Sequence, residues 1–245
     1  MALKLTDRLM ALDRPGFKAA TQHHWLRLIG QGKLPREAQL KWLHQDRMYA
    51  LSYVAFIGSL VAKVKLPATV DRRNSLEWRI SDMLIEALVN IRRELTMFED
   101  ILRQHYGWGR DPDEPVPEAN PATTVYQSLF CSATAPNVPL VAGLAALWAT
   151  ERCYLESWRF AKQQNMASDG LIYSDDVVRQ ILIPNWTSTE FESFVNDVGQ
   201  LMNELSERDG STEADRVQCE SFWRQVLWCE ERFWPDIEQD GTPRE

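Results

Sequence analysis

The sequence predicts an all-α chain, and three observations carry that prediction. Apolar residues recur at steps of three and four through most of the chain, no segment alternates at period two, and no repeat appears at solenoid periods. The clearest case is Pro139–Lys162, where Leu144, Trp148, Leu155 and Trp158 form one buried helical stripe. Its first half carries Ala142, Gly143, Ala145, Ala146 and Ala149, small residues that let neighbouring helices come close. Glu151 interrupts the stripe where another apolar residue is expected. A carboxylate on the inward face of a packed helix is costly unless it is paired, hydrogen-bonded or protonated, so some other part of the fold must answer it.

Leu3–Leu12 reads as a short amphipathic helix stopped by Arg14-Pro15-Gly16. A second helix is expected from about Phe17 to Ile29, closed by Gly30 and Gly32. Pro35 suits the first position of a long helix reaching about Val64. On it Leu43, Ala50, Tyr53, Ile57 and Leu60 form a stripe, with Asp46 inside it. Lys65–Asn74 is a linker, and Ser75–Tyr106, almost free of Pro and Gly, is another long helix with Glu94 and Phe98 one turn apart. Gly107–Ala119, rich in Pro, Asp and Gly, reads as a surface loop.

Asn120-Pro121 is a cap and first-turn pair for a short helix bearing Tyr126, Leu129 and Phe130. Pro136–Pro139 then turns the chain into the central helix. Asp175–Leu182 is expected to be a short helix ended by Pro184. Thr187-x-x-Glu190, just after Trp186, reads as a capping box opening a helix to about Leu205. After the polar stretch Ser206–Thr212, the last helix sets Cys219, Phe222, Val226, Phe233 and Ile237 on one face, with Glu230 among them. No linker is long enough to divide the chain, so residues 1–245 are expected to form one domain with a disordered tail after Glu238.

The formal charge of −8, without any run of Lys or Arg, argues against a nucleic-acid partner. Ten tryptophans imply thick packing or an aromatic-lined cavity. Cys131, Cys153, Cys219 and Cys229 lack the spacing of a redox pair or zinc site and are expected as buried free thiols. Met1–Arg14 mixes charged with apolar residues, unlike a signal peptide. No apolar run approaches the roughly 20 residues that span a bilayer. A cytoplasmic protein without a membrane partner is the expectation.

Asp46, Glu151 and Glu230 therefore lie on three separate buried stripes. Their neighbours Arg47, Arg152 and Arg232 are poor partners, because residues one or two apart on a helix point to different faces. Tyr49 and Tyr154 lie one turn from Asp46 and Glu151. Converging carboxyls and phenols would make a polar cavity in which pKa values are pushed apart, an environment suited to proton transfer. The alternative is that each acid is neutralised locally and carries no chemistry. His23, His24, His44 and His105 form no Glu-x-x-His pair, so no di-iron or other metal site is expected. His23 or His24 as an axial haem ligand is weighed against a purely structural role.

The specific pieces of the sequence, in order, are these. His23-x-Trp25 precedes Gly32; then come Trp42-Leu43-x-Gln45-Asp46-x-x-Tyr49, Glu94-x-x-x-Phe98 and Asn120-Pro121 leading to Tyr126. Leu147-Trp148-Ala149-Thr150-Glu151-x-x-Tyr154, Trp186-x-x-x-x-Phe191 and Glu230-x-x-Phe233-Trp234 follow. In this order they resemble the TenA family of the haem-oxygenase-like all-α fold, over about residues 17–237.

The resemblance implies a hydrolase of an amino- or formylamino-pyrimidine produced by thiamin breakdown, with no cofactor and a homo-oligomeric state. One branch of that family uses a cysteine nucleophile; the matching position here is Thr150, so the chain resembles the other branch, with a glutamate at the next position, Glu151. It implies that Asp46 and Glu151 contact the pyrimidine, that Tyr49, Tyr126 and Tyr154 line or orient it, that Trp186 closes a wall, and that Glu230 is the acid/base. Alternative functions are a relative recruited to another small-molecule pathway, a haem-binding protein, and a ligand-binding module without catalysis.

Overall fold

A computed structural model describes residues 3–109, 111, 113, 115–166, 177–208 and 211–237. Helix α7 (Leu140–Met166) is buried at every position from Val141 to Glu151. Its alanines and Gly143 make this possible, because small side chains on all faces let other helices close around it. The elements that do so are α2 (Arg14–Thr21), α3 (His24–Gly30), α4 (Arg36–Lys63), α6 (Pro121–Ala133), α8 (Ile183–Trp186), α9 (Thr189–Glu207) and α10 (Glu213–Phe233). Helix α5 (Leu76–Ile101) packs outside α4 and α9, and α1 (Leu5–Leu12) lies against α9 and α10. Among the described residues no strand forms, in keeping with the all-α expectation.

Several boundaries follow from caps that the sequence displays. Asn120 accepts a hydrogen bond from Thr123 N, Ser75 accepts one from Trp78 N, and Gly107 ends a π-helical turn (Leu102–Tyr106) with φ of +80°. Lys63, at the end of α4, donates to the carbonyls of Ala135 and Val138 at 2.7 and 2.8 Å, pinning the turn that leads into α7.

Other boundaries differ from the expectation. The predicted helix from Phe17 to Ile29 is two helices, broken at Gln22–His23, where His23 caps α3 by accepting from Trp25 N. Arg14-Pro15-Gly16 begins α2 rather than merely stopping α1, because Asp13 accepts from Gly16 N at 2.8 Å. Pro35 is the cap of α4, not its first residue.

The cap of α9 is Ser188, which accepts from Phe191 N, while the Thr187 hydroxyl donates back to Ile183 O. The complete capping box lies instead at Thr212 and Asp215, opening α10. Pro184 does not end a helix; a π-helical turn (Val178–Leu182) runs directly into α8, whose first turn contains Pro184. Cys131 is exposed, and only Cys153, Cys219 and Cys229 are buried free thiols. The expected tail after Glu238 and the expected helix start at Asp175 lie outside the described residues.

Half of the tryptophans form one stack beside α7. Trp25, Trp42, Trp158, Trp186 and Trp234 are all buried, with ring centroids 4.9 Å apart for Trp25–Trp42, 5.2 Å for Trp25–Trp234 and 4.7 Å for Trp158–Trp186. The Trp234 indole N–H donates to Ala20 O at 3.0 Å. This stack forms a rigid wall, since each side chain has few rotamers and large contact area.

Close packing of α3 on α7 generates a test. A Cβ on Gly30 would stand 2.2 Å from the carbonyl oxygen of Ala161, a backbone atom that cannot swing aside. Gly30→Ala gains about 1 kcal/mol of helix propensity but forces the two helices apart, at a cost of about 1–3 kcal/mol. Urea unfolding of the variant is expected to show a net loss; an unchanged or raised midpoint would contradict the packing.

Candidate active site

The buried acids are answered by phenols from other helices. Helix α4 carries Asp46 and Tyr53 two turns apart, and α7 carries Glu151 and Tyr154 one turn apart, so the two helices exchange hydrogen bonds reciprocally. Tyr53 Oη donates to Glu151 Oε1 at 2.6 Å, and Tyr154 Oη donates to Asp46 Oδ2 at 2.7 Å. Between α6 and α10, Tyr126 Oη donates to Glu230 Oε1 at 2.5 Å. The adjacent arginines look elsewhere: Arg47 pairs with Glu99, Arg152 with Glu156 and Arg232 with Glu231.

Burial dominates the electrostatics. Desolvation raises Asp46, Glu151 and Glu230 to about 8 each, and the phenol hydrogen bonds offset it only in part. The same burial, with these acids nearby, lifts Tyr49, Tyr53, Tyr126 and Tyr154 well above the ordinary phenol value. At neutral pH these three carboxyl groups therefore hold protons rather than charge.

A cavity of about 30 Å³ lies at the centre, room for about two waters. Asp46, Tyr49, Tyr53, Thr150, Glu151, Tyr154 and Trp186 line it, with Glu94 and Asn90 from α5 and Phe191 and Phe194 from α9. Of the residues expected from the sequence, Asp46, Glu151, Tyr49, Tyr154 and Trp186 come together on its surface. Tyr126 and Glu230 stand behind Tyr49, whose ring centroid is 4.9 Å from that of Tyr126. Glu230 Oε2 is buried and finds no hydrogen-bond partner among the described residues.

Thr150, the residue at the expected nucleophile position, lines the cavity with its hydroxyl donating to Leu147 O at 2.8 Å. Cys153 is off the lining, and burial keeps its thiol protonated. His23 is occupied in capping α3 and His24 is exposed; neither lines the cavity.

Sequence reasoning did not place Tyr53, Asn90, Glu94 or Asn185 among the site residues. Tyr53 lies on the same stripe as Asp46, seven residues on, and that spacing was the available signal. Glu94 is 8% exposed and accepts from Asn90 Nδ2 at 3.3 Å and Asn185 Nδ2 at 3.2 Å. Asn185, on α8, lies too far along the chain for any periodicity to connect it to α5.

The raised acids fix a pH dependence of stability. Each binds its proton more tightly folded (about 8) than unfolded (about 4), so between these values the folded state holds more protons and stability falls as pH rises. Surface acids held low by arginines, such as Glu204 beside Arg79, act in the opposite sense and only at lower pH. The melting temperature is expected to fall from pH 5 to pH 8 and to level above it. Glu230→Gln, which removes one titrating group with little change of volume, should flatten that curve; a wild-type profile flat over this range would refute the assignment.

The architecture has known counterparts. A TenA homologue of Pyrococcus furiosus superposes with a TM-score of 0.75 at 21% identity, covering 94% of this chain and 98% of that one, which establishes the haem-oxygenase-like helical fold. A probable transcription factor of Fusarium pseudograminearum is 28% identical over 248 residues, 88% of this chain. The chain spans about half of that relative, 48% of its length. A probable bifunctional TENA-E protein of Glycine max is 20% identical over 236 residues, 94% of this chain and 91% of that protein. The model of the TENA/THI-4/PQQC family matches residues 14–239, and the chain belongs to that family.

Proposed function

We propose that the protein is a hydrolase of a thiamin-derived aminopyrimidine or formylaminopyrimidine. The observation that carries this reading is the central cavity, in which two protonated carboxyl groups, each held by a phenol from another helix, face a small enclosed space. Family membership and the TENA-E name of the soybean relative support it. Apart from Ile91 and a third acid, Glu94, the rest of the lining is aromatic, small or polar, a surface suited to a flat heterocycle with a few N–H and ring-nitrogen groups. A pyrimidine ring exceeds the present cavity, so binding requires side chains around it to part; Tyr49 and Phe194 are only half-buried.

The chemistry is balanced by water alone. In the amine, the C–N bond breaks as the nitrogen leaves as ammonia and water supplies the hydroxyl to carbon. In the formylated form, water adds to the formyl carbon and the C–N bond then breaks to give formate and the amine. Both need a proton on the departing nitrogen, and a buried carboxylic acid delivers one at neutral pH. Asp46 and Glu151, on the lining, contact the ligand. Glu230, with its unpartnered Oε2, is the acid/base: protonated at neutral pH, it gives its proton to the departing nitrogen and recovers one from the attacking water. With Thr150 in place of a thiol, the reaction proceeds without a cysteine nucleophile.

Incubation of the purified protein with aminomethylpyrimidine and with its formylated form tests this directly, by release of ammonia or formate. Glu151→Gln and Glu230→Gln are expected to lower kcat by about 100-fold or more while melting within a few degrees of wild type. Stabilisation by the pyrimidines without product would instead make the protein a binding module, and full activity of Glu230→Gln would remove that residue from the mechanism.

A further inference from the structure

The carboxyl groups around the cavity are of two kinds, distinguished by what their partners can do. Asp46, Glu151 and Glu230 each face a tyrosine, whose hydroxyl both donates and accepts, so these pairs persist whether the carboxyl is protonated or not. Glu94 is held differently. Arg93, which only donates, sets Nη2 at 2.9 Å from both Asn90 Oδ1 and Asn185 Oδ1. That fixes the two carboxamides so that their Nδ2 atoms point at Glu94 Oε1, at 3.3 and 3.2 Å.

Two amide N–H groups aimed at Oε1 keep a proton off that oxygen and favour the carboxylate, which accepts them more strongly than the neutral acid does. Burial raises the Glu94 pKa above the ordinary carboxyl value on balance, and Asn185, Arg93, Asn90 and Trp186 offset part of that rise. Oε2 receives neither amide, and Glu94 lines the cavity. The guanidinium of Arg93 stands 3.9 Å away with a side chain 59% exposed, too solvated to neutralise the carboxylate as a close buried partner would. Trp186 and Phe98, ring centroids 5.9 Å apart, line the same cavity, and aromatic faces favour a cation over a neutral group.

We infer that Glu94 is a specificity-determining residue of the site, an ionised anchor that binds the cationic nitrogen of an arylmethyl amine and selects the free ammonium over the neutral formylated form. Arg93, Asn90 and Asn185 are positioning residues that keep the anchor ionised and aimed. For its substrate the inference rests on the pyrimidine reading; for its chemistry it rests only on the arrangement around Glu94.

Two measurements separate these. In steady-state kinetics, Glu94→Gln should raise KM for aminomethylpyrimidine at least ten-fold with kcat changed less than three-fold, and leave KM for the formylated form within two-fold. Glu94→Asp, which keeps the charge, should retain most of the preference. Equal changes for both substrates, or none, overturn the inference.

The second measurement needs no turnover: the shift in melting temperature produced by benzylamine against its neutral counterpart benzyl alcohol. Wild type and Glu94→Asp should be stabilised more by benzylamine, and Glu94→Gln equally by the two. Absence of a benzylamine preference in wild type, or its persistence in Glu94→Gln, overturns the inference even if pyrimidines are hydrolysed. A preference that depends on Glu94, without hydrolysis of either pyrimidine, leaves it standing and refutes the proposed function.

Discussion

Surrounding the first half of α7, Val141 to Glu151, with protein on every side is the constraint from which the site follows. A helix enclosed in this way can carry an acid only if another element brings a hydrogen-bonding group to it, because solvent cannot. Tyr53 of α4 does this for Glu151, and α7 returns the service with Tyr154 for Asp46. The two polar contacts are therefore register marks. Sliding α4 along α7 would break both hydrogen bonds together in a low-dielectric interior, a penalty that apolar packing alone does not impose. Removing one phenol is expected to cost about 1–3 kcal/mol, the price of leaving one such group unsatisfied.

The aromatic stack and the acid–phenol pairs are complementary halves of one design. The tryptophans supply area and stiffness on one side of the cavity, while the tyrosines supply the hydroxyls. Tyr154 belongs to both: its ring stacks on Trp234 at 5.8 Å and meets Trp186 edge-on at 5.1 Å, and its hydroxyl holds Asp46. A hydroxyl fixed by so much ring contact has little freedom to turn away, so the orientation of the Asp46 carboxyl is set by packing. Such preorganisation lets a buried acid act without first reorganising its surroundings.

How much of this was legible beforehand depended on the kind of signal each residue gives. Asp46, Glu151 and Glu230 could be found because a charge inside an apolar period is an anomaly that periodicity exposes. Tyr53 could not be separated from the core by the same means, since a tyrosine in an apolar stripe is what a core contains. Glu94 shows as a motif residue, but its meaning depends on Asn185, 91 residues away on α8, and no local pattern encodes that. The break at Gln22–His23 was missed because the apolar pattern runs through it. Only the ability of a histidine side chain to accept from the backbone, as Asn or Ser does at a cap, ends one helix and starts the next there.

Partner chemistry also decides where charge can reside in the cavity. Tyrosine can donate to or accept from the acid it meets, whereas a carboxamide turned by an arginine can only donate and so favours the carboxylate. A site lined by tyrosine-held acids alone would be neutral at pH 7 and would have no electrostatic preference among flat heterocycles. A site lined by amide-held acids alone would carry several buried anions and would be strongly destabilised. Placing one fixed anion beside protonated acids gives the cavity a single negative end while leaving protons available for transfer. The burial that keeps those protons in place also makes the fold lose stability as pH approaches 8. Catalytic capacity and the alkaline limit of stability thus have one physical origin, the exclusion of water from the centre of the bundle.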